Sequence, residues 1–138
     1  IVFFIFENFS LNPYQYTWMN SLSKFYNINK NFEVDYWGIS NKKLYKSVYM
    51  HAIKKKSKNN NCVYGDRYAK VFLENKNFHC FKTYSELDSA RDRPFYVVKN
   101  VRNFKRSDPK NCELIKLENY TYFLSNQKIN VGSSWFCD

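Results

Sequence analysis

Glycine, proline and histidine are scarce in this sequence, whose 138 residues contain three glycines, three prolines and two histidines. The motifs GxSxG, GxGxxG, HExxH and the Walker phosphate loop are absent, which removes the usual signatures of serine hydrolases, dinucleotide-binding enzymes, zinc peptidases and nucleoside triphosphatases. Long apolar runs are also missing, since the stretch at residues 1–6 is far shorter than the roughly 20 residues of a membrane-spanning helix. Neither a membrane span nor a secretory signal peptide is predicted.

Aromatic residues are abundant, at 20% of the chain with 12 Tyr and 13 Phe, which is typical of a folded protein and unlike a disordered one. The length fits one compact domain. Because the chain starts at Ile1 and not at a methionine, and because residues 1–6 are all apolar, we expect it to be a piece cut from a longer protein or a processed product.

The net charge of +10 arises mainly from lysine, with 17 Lys against 5 Arg. Lys, Asn, Tyr, Phe and Ile are abundant together, which is the mixture that A+T-rich codons produce. The charge therefore indicates no more than affinity for anionic surfaces such as lipid headgroups or a sugar phosphate. Nucleic acid is not expected as a partner, because no ribonucleoprotein-type motif or arginine-rich stripe occurs.

Four cysteines form an even set without any CxxC pair, so zinc-ribbon spacing is absent. Two alternatives remain open from the spacing. The cysteines form two disulfides, with Cys62–Cys80 and Cys112–Cys137 as the sequence-local pairing, or they are four buried free thiols. No metal site or cofactor is expected, since His79 and Cys80 would point to opposite faces of a strand and His51 is predicted to be solvated or partly packed.

Hydrophobic periodicity predicts one long helix at residues 42–56, after a turn and helix cap at residues 38–41. Six apolar side chains repeat at a four-residue spacing and leave five lysines towards solvent. The apolar set is Leu44, Tyr45, Val48, Tyr49, Ala52 and Ile53, and the lysines are Lys42, Lys43, Lys46, Lys54 and Lys55. Short helices are predicted after Pro13 and at residues 67–74, and a polar, helical segment at 85–93.

Runs rich in β-branched and aromatic residues predict strands at 62–66, 78–84, 94–100, 112–117 and 120–124. Residues 1–9 are interpreted either as a strand or as what remains of a membrane exit. The alternation of strands and helices predicts a single α/β domain of two or three layers around one mixed sheet, with antiparallel strands in the C-terminal third.

Carboxylates and aromatic side chains are the candidate ligand-binding groups. In the alternating segment 32–38, Glu33 and Asp35 share one face, and Asp66 closes a neighbouring predicted strand. Carboxylates at strand ends of an α/β sheet meet where ligands usually bind, and two of them suit acid–base work on a sugar. The alternative is that Asp35 caps a turn and Asp66 caps the helix that follows. The aromatic residues at 14, 16, 18, 36 and 37 suit stacking on sugar rings, or they belong to the core.

Two segments resemble a known family when taken together. Residues 12–16 read Asn-Pro-Tyr-Gln-Tyr and are followed by Asn20, and residues 32–40 read Phe-Glu-Val-Asp-Tyr-Trp-Gly-Ile-Ser before the predicted helix. This resembles the C-terminal region, after the last membrane helix, of bacterial polytopic glycosyltransferases similar to dolichyl-phosphate-mannose-protein mannosyltransferases. In that family a helix and a Val-Tyr-Gly-like strand follow, which residues 63–66 fit. The resemblance covers roughly residues 3–66.

The resemblance implies an accessory domain at the extracytoplasmic (periplasmic) face of the bacterial inner membrane. Its parent would transfer a sugar from a polyprenyl phosphate, with the catalytic acidic residue in an early loop that this chain lacks. The expected partners are the transmembrane part of the same polypeptide and a lipid-linked sugar or glycan, and no catalytic residue is assigned here. The candidate substrate-binding residues are Tyr14, Gln15, Tyr16, Asn20, Asp35, Tyr36, Trp37 and Asp66.

Two other functions remain open. The chain is alternatively a free-standing module that binds carbohydrate or an anionic polymer, as the charge and the aromatic content suggest. A small hydrolase using Asp35 and Asp66 is the third hypothesis.

Overall fold

The computed structural model describes residues 38–55, 61–76, 78–89, 94–100, 107–121 and 128–138, together with Val2, Ile5, Phe6 and Phe9. Its centre is a five-stranded sheet with the strand order β2-β1-β3-β5-β4. The strands are β1 (Cys62–Gly65), β2 (Phe81–Thr83), β3 (Phe95–Asn100), β4 (Glu113–Thr121) and β5 (Lys128–Cys137).

The sheet is mixed, because β1 pairs in parallel with both β2 and β3, whereas β5 pairs antiparallel with both β3 and β4. Parallel neighbours need a crossover between them, and the helical segments of the first two thirds supply it. The predicted single α/β domain, with one mixed sheet and antiparallel strands in the C-terminal third, is confirmed.

Two α-helices cover one face of the sheet, α1 (Ile39–Lys54) and α2 (Tyr68–Leu73). The predicted long helix is thus confirmed, although it begins earlier, directly after Gly38. Gly38 has φ 66°, a left-handed conformation that costs glycine little, and its carbonyl accepts a hydrogen bond from Asn41 N at 3.0 Å. Two 3₁₀ segments, η1 (Glu74–Lys76) and η2 (Tyr84–Ser89), follow α2 and β2.

The apolar side of α1 packs on the sheet, as its four-residue repeat predicts. Leu44, Tyr45 and Val48 are fully buried, and they form one core with side chains of α2 and of the central strands, including Tyr96 and Phe136. Burying a Leu or Val side chain contributes about 1.5–3 kcal/mol. The opposite face of the sheet carries a second, smaller core, which consists of Tyr64, Tyr84, Phe95, Val97 and Cys137.

Both disulfides of the sequence-local pairing are formed, so the free-thiol alternative is wrong. Cys62–Cys80 joins the first residue of β1 to the residue before β2, and Cys112–Cys137 joins the residue before β4 to the end of β5. Each bond therefore holds together one pair of neighbouring strands.

Several local predictions need correction. Val2, Ile5, Phe6 and Phe9 are helical, so the strand interpretation of residues 1–9 is wrong for the positions that the structure describes. The strand predicted at 112–117 and the described start of the one predicted at 120–124 are one continuous strand, β4, with irregularities between Leu114 and Lys116 and between Glu118 and Asn119. Residues 122–124 lie outside the described residues. The strand predicted at 78–84 is shorter than expected and consists of β2 alone. Strand β5 has no counterpart among the predicted elements.

The helix predicted after Pro13 lies outside the described residues. Among the described residues, none of the helices is long and apolar enough to cross a bilayer.

Candidate functional site

Polar side chains gather where the parallel strands β1 and β3 end. Asp66 directly follows β1, and Asn100 is the last residue of β3. The first turn of α1 adds Asn41 and its second turn adds Tyr45, both fully buried. We call these four residues the Asp66 cluster. It occupies the carboxyl edge of parallel strands, the place where α/β sheets usually bind ligands.

Hydrogen bonds to the Asp66 carboxylate hold the cluster together. Oδ2 accepts from Asn41 Nδ2 at 2.7 Å and from Asn100 Nδ2 at 3.0 Å. Oδ1 accepts from Tyr45 OH at 2.8 Å and from the backbone N–H of Tyr68 at 2.9 Å. Two bonds to each oxygen occupy the acceptor capacity of a carboxylate. Asp66 therefore joins α1, β3 and the start of α2 through one side chain.

Two glycines permit this arrangement. An added Cβ at Gly65 would lie 2.6 Å from the Tyr45 hydroxyl oxygen, and one at Gly38 would lie 2.7 Å from Asn41 Nδ2. Real Cβ atoms do not approach other heavy atoms so closely, so a larger residue would displace the donor groups from Asp66. Two of the three glycines in the chain thus lie directly against the cluster.

The protonation chemistry of the cluster favours a structural role for Asp66. Burial, together with the charge of the Asp66 carboxylate, raises the pKa of Tyr45 well above its ordinary value, so Tyr45 stays a neutral donor. A general acid or base needs a free lone pair or a mobile proton next to the substrate. Asp66 offers neither, and the cap assigned to it by the alternative interpretation is present at the start of α2.

One acceptor in the cluster is left over. Asn41 Oδ1 is buried and, within the part of the chain that the structure describes, has no hydrogen-bond partner. Leaving a buried carbonyl unpaired costs about 1–3 kcal/mol, so this atom suits a donor from a ligand hydroxyl or a bound water.

Of the eight predicted site residues, the structure describes Asp66 alone. The other seven, Tyr14, Gln15, Tyr16, Asn20, Asp35, Tyr36 and Trp37, lie outside the described residues. Sequence reasoning missed Asn41 and Asn100 as cluster members. The signal was present for Asn100, because a polar residue ending a strand parallel to β1 must lie at the same sheet edge as Asp66. Tyr45 was assigned only to the apolar side of the helix.

A separate cleft of about 650 Å³ opens on the other side of the sheet, beside the smaller core. Its lining is mixed, with Tyr84 and Leu87 next to Ser85, Asp88 and Lys110. The Asp108 carboxylate at its margin is 2.6 Å from the ammonium group of Lys99, whose side chain is almost fully buried.

His51 is partly packed, as expected. Its ring lies against Phe136, and its Nδ1 is 3.2 Å from the Tyr96 hydroxyl. Burial lowers the pKa of His51, an effect that the neighbouring Glu113 carboxylate opposes. In the described ranges, no three His, Cys, Asp or Glu side chains come close enough together to hold a metal ion.

Comparisons of the chain with protein-family models, with curated proteins and with solved structures found no match.

Proposed function

We propose that this chain is an extracytoplasmic accessory domain of a membrane-embedded glycosyltransferase that takes its sugar from a polyprenyl phosphate. In this role it binds the transmembrane part of the same polypeptide and helps to position the donor or the acceptor. The chain does not perform the transfer step itself, since the family that it resembles keeps its catalytic acidic residue in another part of the protein.

The observation that carries this proposal is a set of exposed apolar side chains near the N-terminus. Val2, Ile5, Phe6 and Phe9 are helical, and their exposed fractions are 66%, 49%, 61% and 77%. Their spacing of i, i+3, i+4 and i+7 puts them on one side of a helix. Exposed apolar surface of this kind is typical of contact with a membrane or with another protein part, which supports the membrane-exit interpretation of this segment.

The two disulfides are compatible with the proposed location. Disulfides persist in oxidising compartments such as the periplasm and are rare in the cytosol. Cys62–Cys80 and Cys112–Cys137 together use all four cysteines. In the protein isolated from its native cell, we expect none of the four cysteines of this chain to react with a maleimide reagent before reduction and all four to react afterwards. Four reactive thiols before reduction would contradict an extracytoplasmic location.

The proposed sugar contacts are the motif residues that precede α1 in the sequence, Asp35, Tyr36 and Trp37, and Asn41 in the first turn of α1. Asn41 Oδ1 has no hydrogen-bond partner among the described residues. Aromatic rings and amide oxygens are groups that suit sugar rings and hydroxyls.

The test is sugar transfer from a polyprenyl-phosphate donor by membranes that contain the parent polypeptide. We expect Trp37→Ala and Asp35→Asn to raise KM for donor or acceptor by about tenfold, which corresponds to about 1.4 kcal/mol of lost binding. The melting temperature of the isolated chain should stay within the error of the wild type. A normal KM combined with a lower melting temperature would mean that Trp37 and Asp35 have only a structural role. Absence of any transfer activity would overturn the proposal.

A free-standing carbohydrate-binding module is the second candidate, and the cleft of about 650 Å³ favours it. Polar and aromatic groups together line this cleft, as in many sugar-binding sites. Glycan binding by the isolated chain that is weakened by Asp88→Asn and unaffected by Trp37→Ala would support this candidate over the first.

A further inference from the structure

The outward side of α1 carries an unusual combination of side chains. At about 100° per residue, Lys42, Lys43, Lys46, Met50, Ile53 and Lys54 fall on one side of the helix, opposite the buried Leu44 and Val48. All six are exposed, with Met50 at 46% and Ile53 at 53%. We call these six residues the lysine face of α1.

Among the described residues, most lysines of the lysine face have no acidic partner. Helix α1 contains four lysines and no acidic residue. Elsewhere in the described part of the chain, four of the eight lysines form ion pairs, among them Lys70 with Glu74 and Lys99 with Asp108. On the lysine face only Lys43 has such a partner among the described residues, Glu118 at 2.6 Å. Like charges three and four residues apart destabilise a helix slightly, so an external anion would stabilise α1.

We propose that the lysine face of α1 docks on the surface of an anionic lipid bilayer. The lysines lie at the level of the headgroup phosphates, and Met50 and Ile53 enter the boundary with the acyl chains. Clusters of lysines bind anionic headgroups at a membrane surface, and exposed apolar side chains beside them add contact area at the boundary with the acyl chains. This proposal goes beyond the function proposed above, because lipid binding by α1 requires neither a sugar donor nor transfer activity.

A nucleic acid fits the face less well. Its lysines are accompanied by Met50 and Ile53, whereas single-stranded nucleic acids are bound with aromatic stacking partners and double-stranded ones mainly through polar and charged contacts. The described residues of α1 also include no arginine, the residue that contacts base edges and phosphates in a bidentate way.

The experiment measures binding of the 138-residue chain to vesicles by co-sedimentation, with phosphatidylcholine vesicles and with vesicles that also contain phosphatidylglycerol. We expect binding to the anionic vesicles alone. Lys46→Gln combined with Lys54→Gln should weaken this binding by about 30-fold, since each lysine near the surface contributes about fivefold. The matched control removes two exposed lysines outside the helix, Lys110→Gln with Lys128→Gln. It should change binding less than threefold.

Equal losses in the two lysine pairs would mean that only the net charge matters, and this would overturn the proposal, as would absence of binding to the anionic vesicles. The apolar contribution is tested by Met50→Ser with Ile53→Ser against Leu114→Ser with Leu117→Ser, whose side chains are each 45% exposed on β4. We expect at least a fivefold loss in the first pair alone. Stronger binding to an acidic protein or to RNA than to vesicles, unaffected by the Met50 and Ile53 changes, would also overturn it.

Discussion

At the residue scale, the side chain of Asp66 connects three elements of the fold. Its carboxylate accepts four hydrogen bonds, from Asn41, Tyr45, Asn100 and the backbone of Tyr68. Asp66→Asn would replace one oxygen by an NH₂ group that faces donors. We expect the variant to lose roughly 2–3 kcal/mol of unfolding free energy, because buried donors are left without an acceptor.

Urea unfolding followed by circular dichroism would measure this change. Asp88→Asn is a matched control, since Asp88 is an exposed carboxylate on η2 and its loss should change stability by less than about 0.5 kcal/mol. If Asp66→Asn were as stable as the wild type, the cluster would not hold the fold together, and a ligand-binding role for Asp66 would gain support.

The contact between Gly65 and Tyr45 allows a sharper test. Gly65→Ala puts a Cβ about 2.6 Å from the Tyr45 hydroxyl oxygen and should cost roughly 1–3 kcal/mol. Tyr45→Phe removes that oxygen together with its bond to Asp66. We therefore expect Gly65→Ala to cost clearly less in the Tyr45→Phe background than in the wild type. Additive unfolding free energies in this double-mutant cycle would contradict the close contact.

At the scale of elements, the end of α1 is held against the sheet by His51. Burial among Tyr96 and Phe136 lowers the pKa of His51 from its ordinary value of 6.5, so the folded state binds a proton less readily than the unfolded chain. The part of the unfolding free energy that depends on neutral His51 should therefore be fully present above about pH 6.5. It should fall as the pH decreases towards the folded-state pKa and level off below that pKa.

Urea unfolding at pH 7.5 and at pH 5.5 would show this dependence, and His51→Gln should remove part of it. Glu118 titrates in a different range. Burial alone would raise the pKa of Glu118, but hydrogen bonds from Lys43 and Lys116 lower it below its ordinary value of 4.5. The contribution of Glu118 to stability is therefore lost only at more acidic pH, which separates the effect of Glu118 from that of His51. An identical slope between pH 7.5 and 5.5 in His51→Gln and the wild type would contradict the assignment to His51.

The disulfide Cys112–Cys137 stabilises the hairpin of β4 and β5. It closes a loop with a sequence separation of 25, for which the loss of chain entropy in the unfolded state corresponds to about 3 kcal/mol. We expect Cys112→Ala with Cys137→Ala to lower the melting temperature by roughly 10 °C. The wild type under reducing conditions should show at least this decrease, because both disulfides are then open. A melting temperature unaffected by reduction would show that the bonds are absent or energetically neutral.

The elements whose apolar pattern extends over most of their length were predictable. Helix α1 and strands β1 and β3 carry apolar patterns that local reasoning recognises. In β5, buried Ile129 and Val131 alternate with polar neighbours, but the alternation ends before Ser133 and Ser134. These two serines are buried, with the Ser134 hydroxyl 2.7 Å from that of Ser47, so the apolar pattern marks only the first part of the strand. The Asp66 cluster was only partly predictable, because its members are brought together by long-range packing that no local pattern encodes.

At the scale of the whole molecule, the candidate surfaces occupy different parts of one frame. The Asp66 cluster lies at the carboxyl edge of β1 and β3, and the lysine face lies on the side of α1 that points away from the sheet. The cleft opens beyond the opposite face. Docking of α1 on a membrane would consequently leave the cleft on the side away from the lipid, where a water-soluble acceptor could enter it.

Holding these surfaces in fixed positions requires that the centre of the sheet is rigid, and hydrogen exchange can test this rigidity. Strand β3 lies between β1 and β5, and all six of its residues are buried, whereas β2 has three residues and lies at one end of the five described strands. Amides that open only on global unfolding exchange most slowly, and those near edges and short helices exchange through local opening. We expect the amides of β3 to exchange most slowly and those of β2 and α2 at least about tenfold faster, since a difference of 1.4 kcal/mol in opening free energy is enough for that ratio.

Mass spectrometry of exchanged peptides would measure these rates. Protection of β2 equal to that of β3 would mean that the sheet opens as a single unit, and reduction of Cys62–Cys80 should then unprotect both strands together instead of β2 alone.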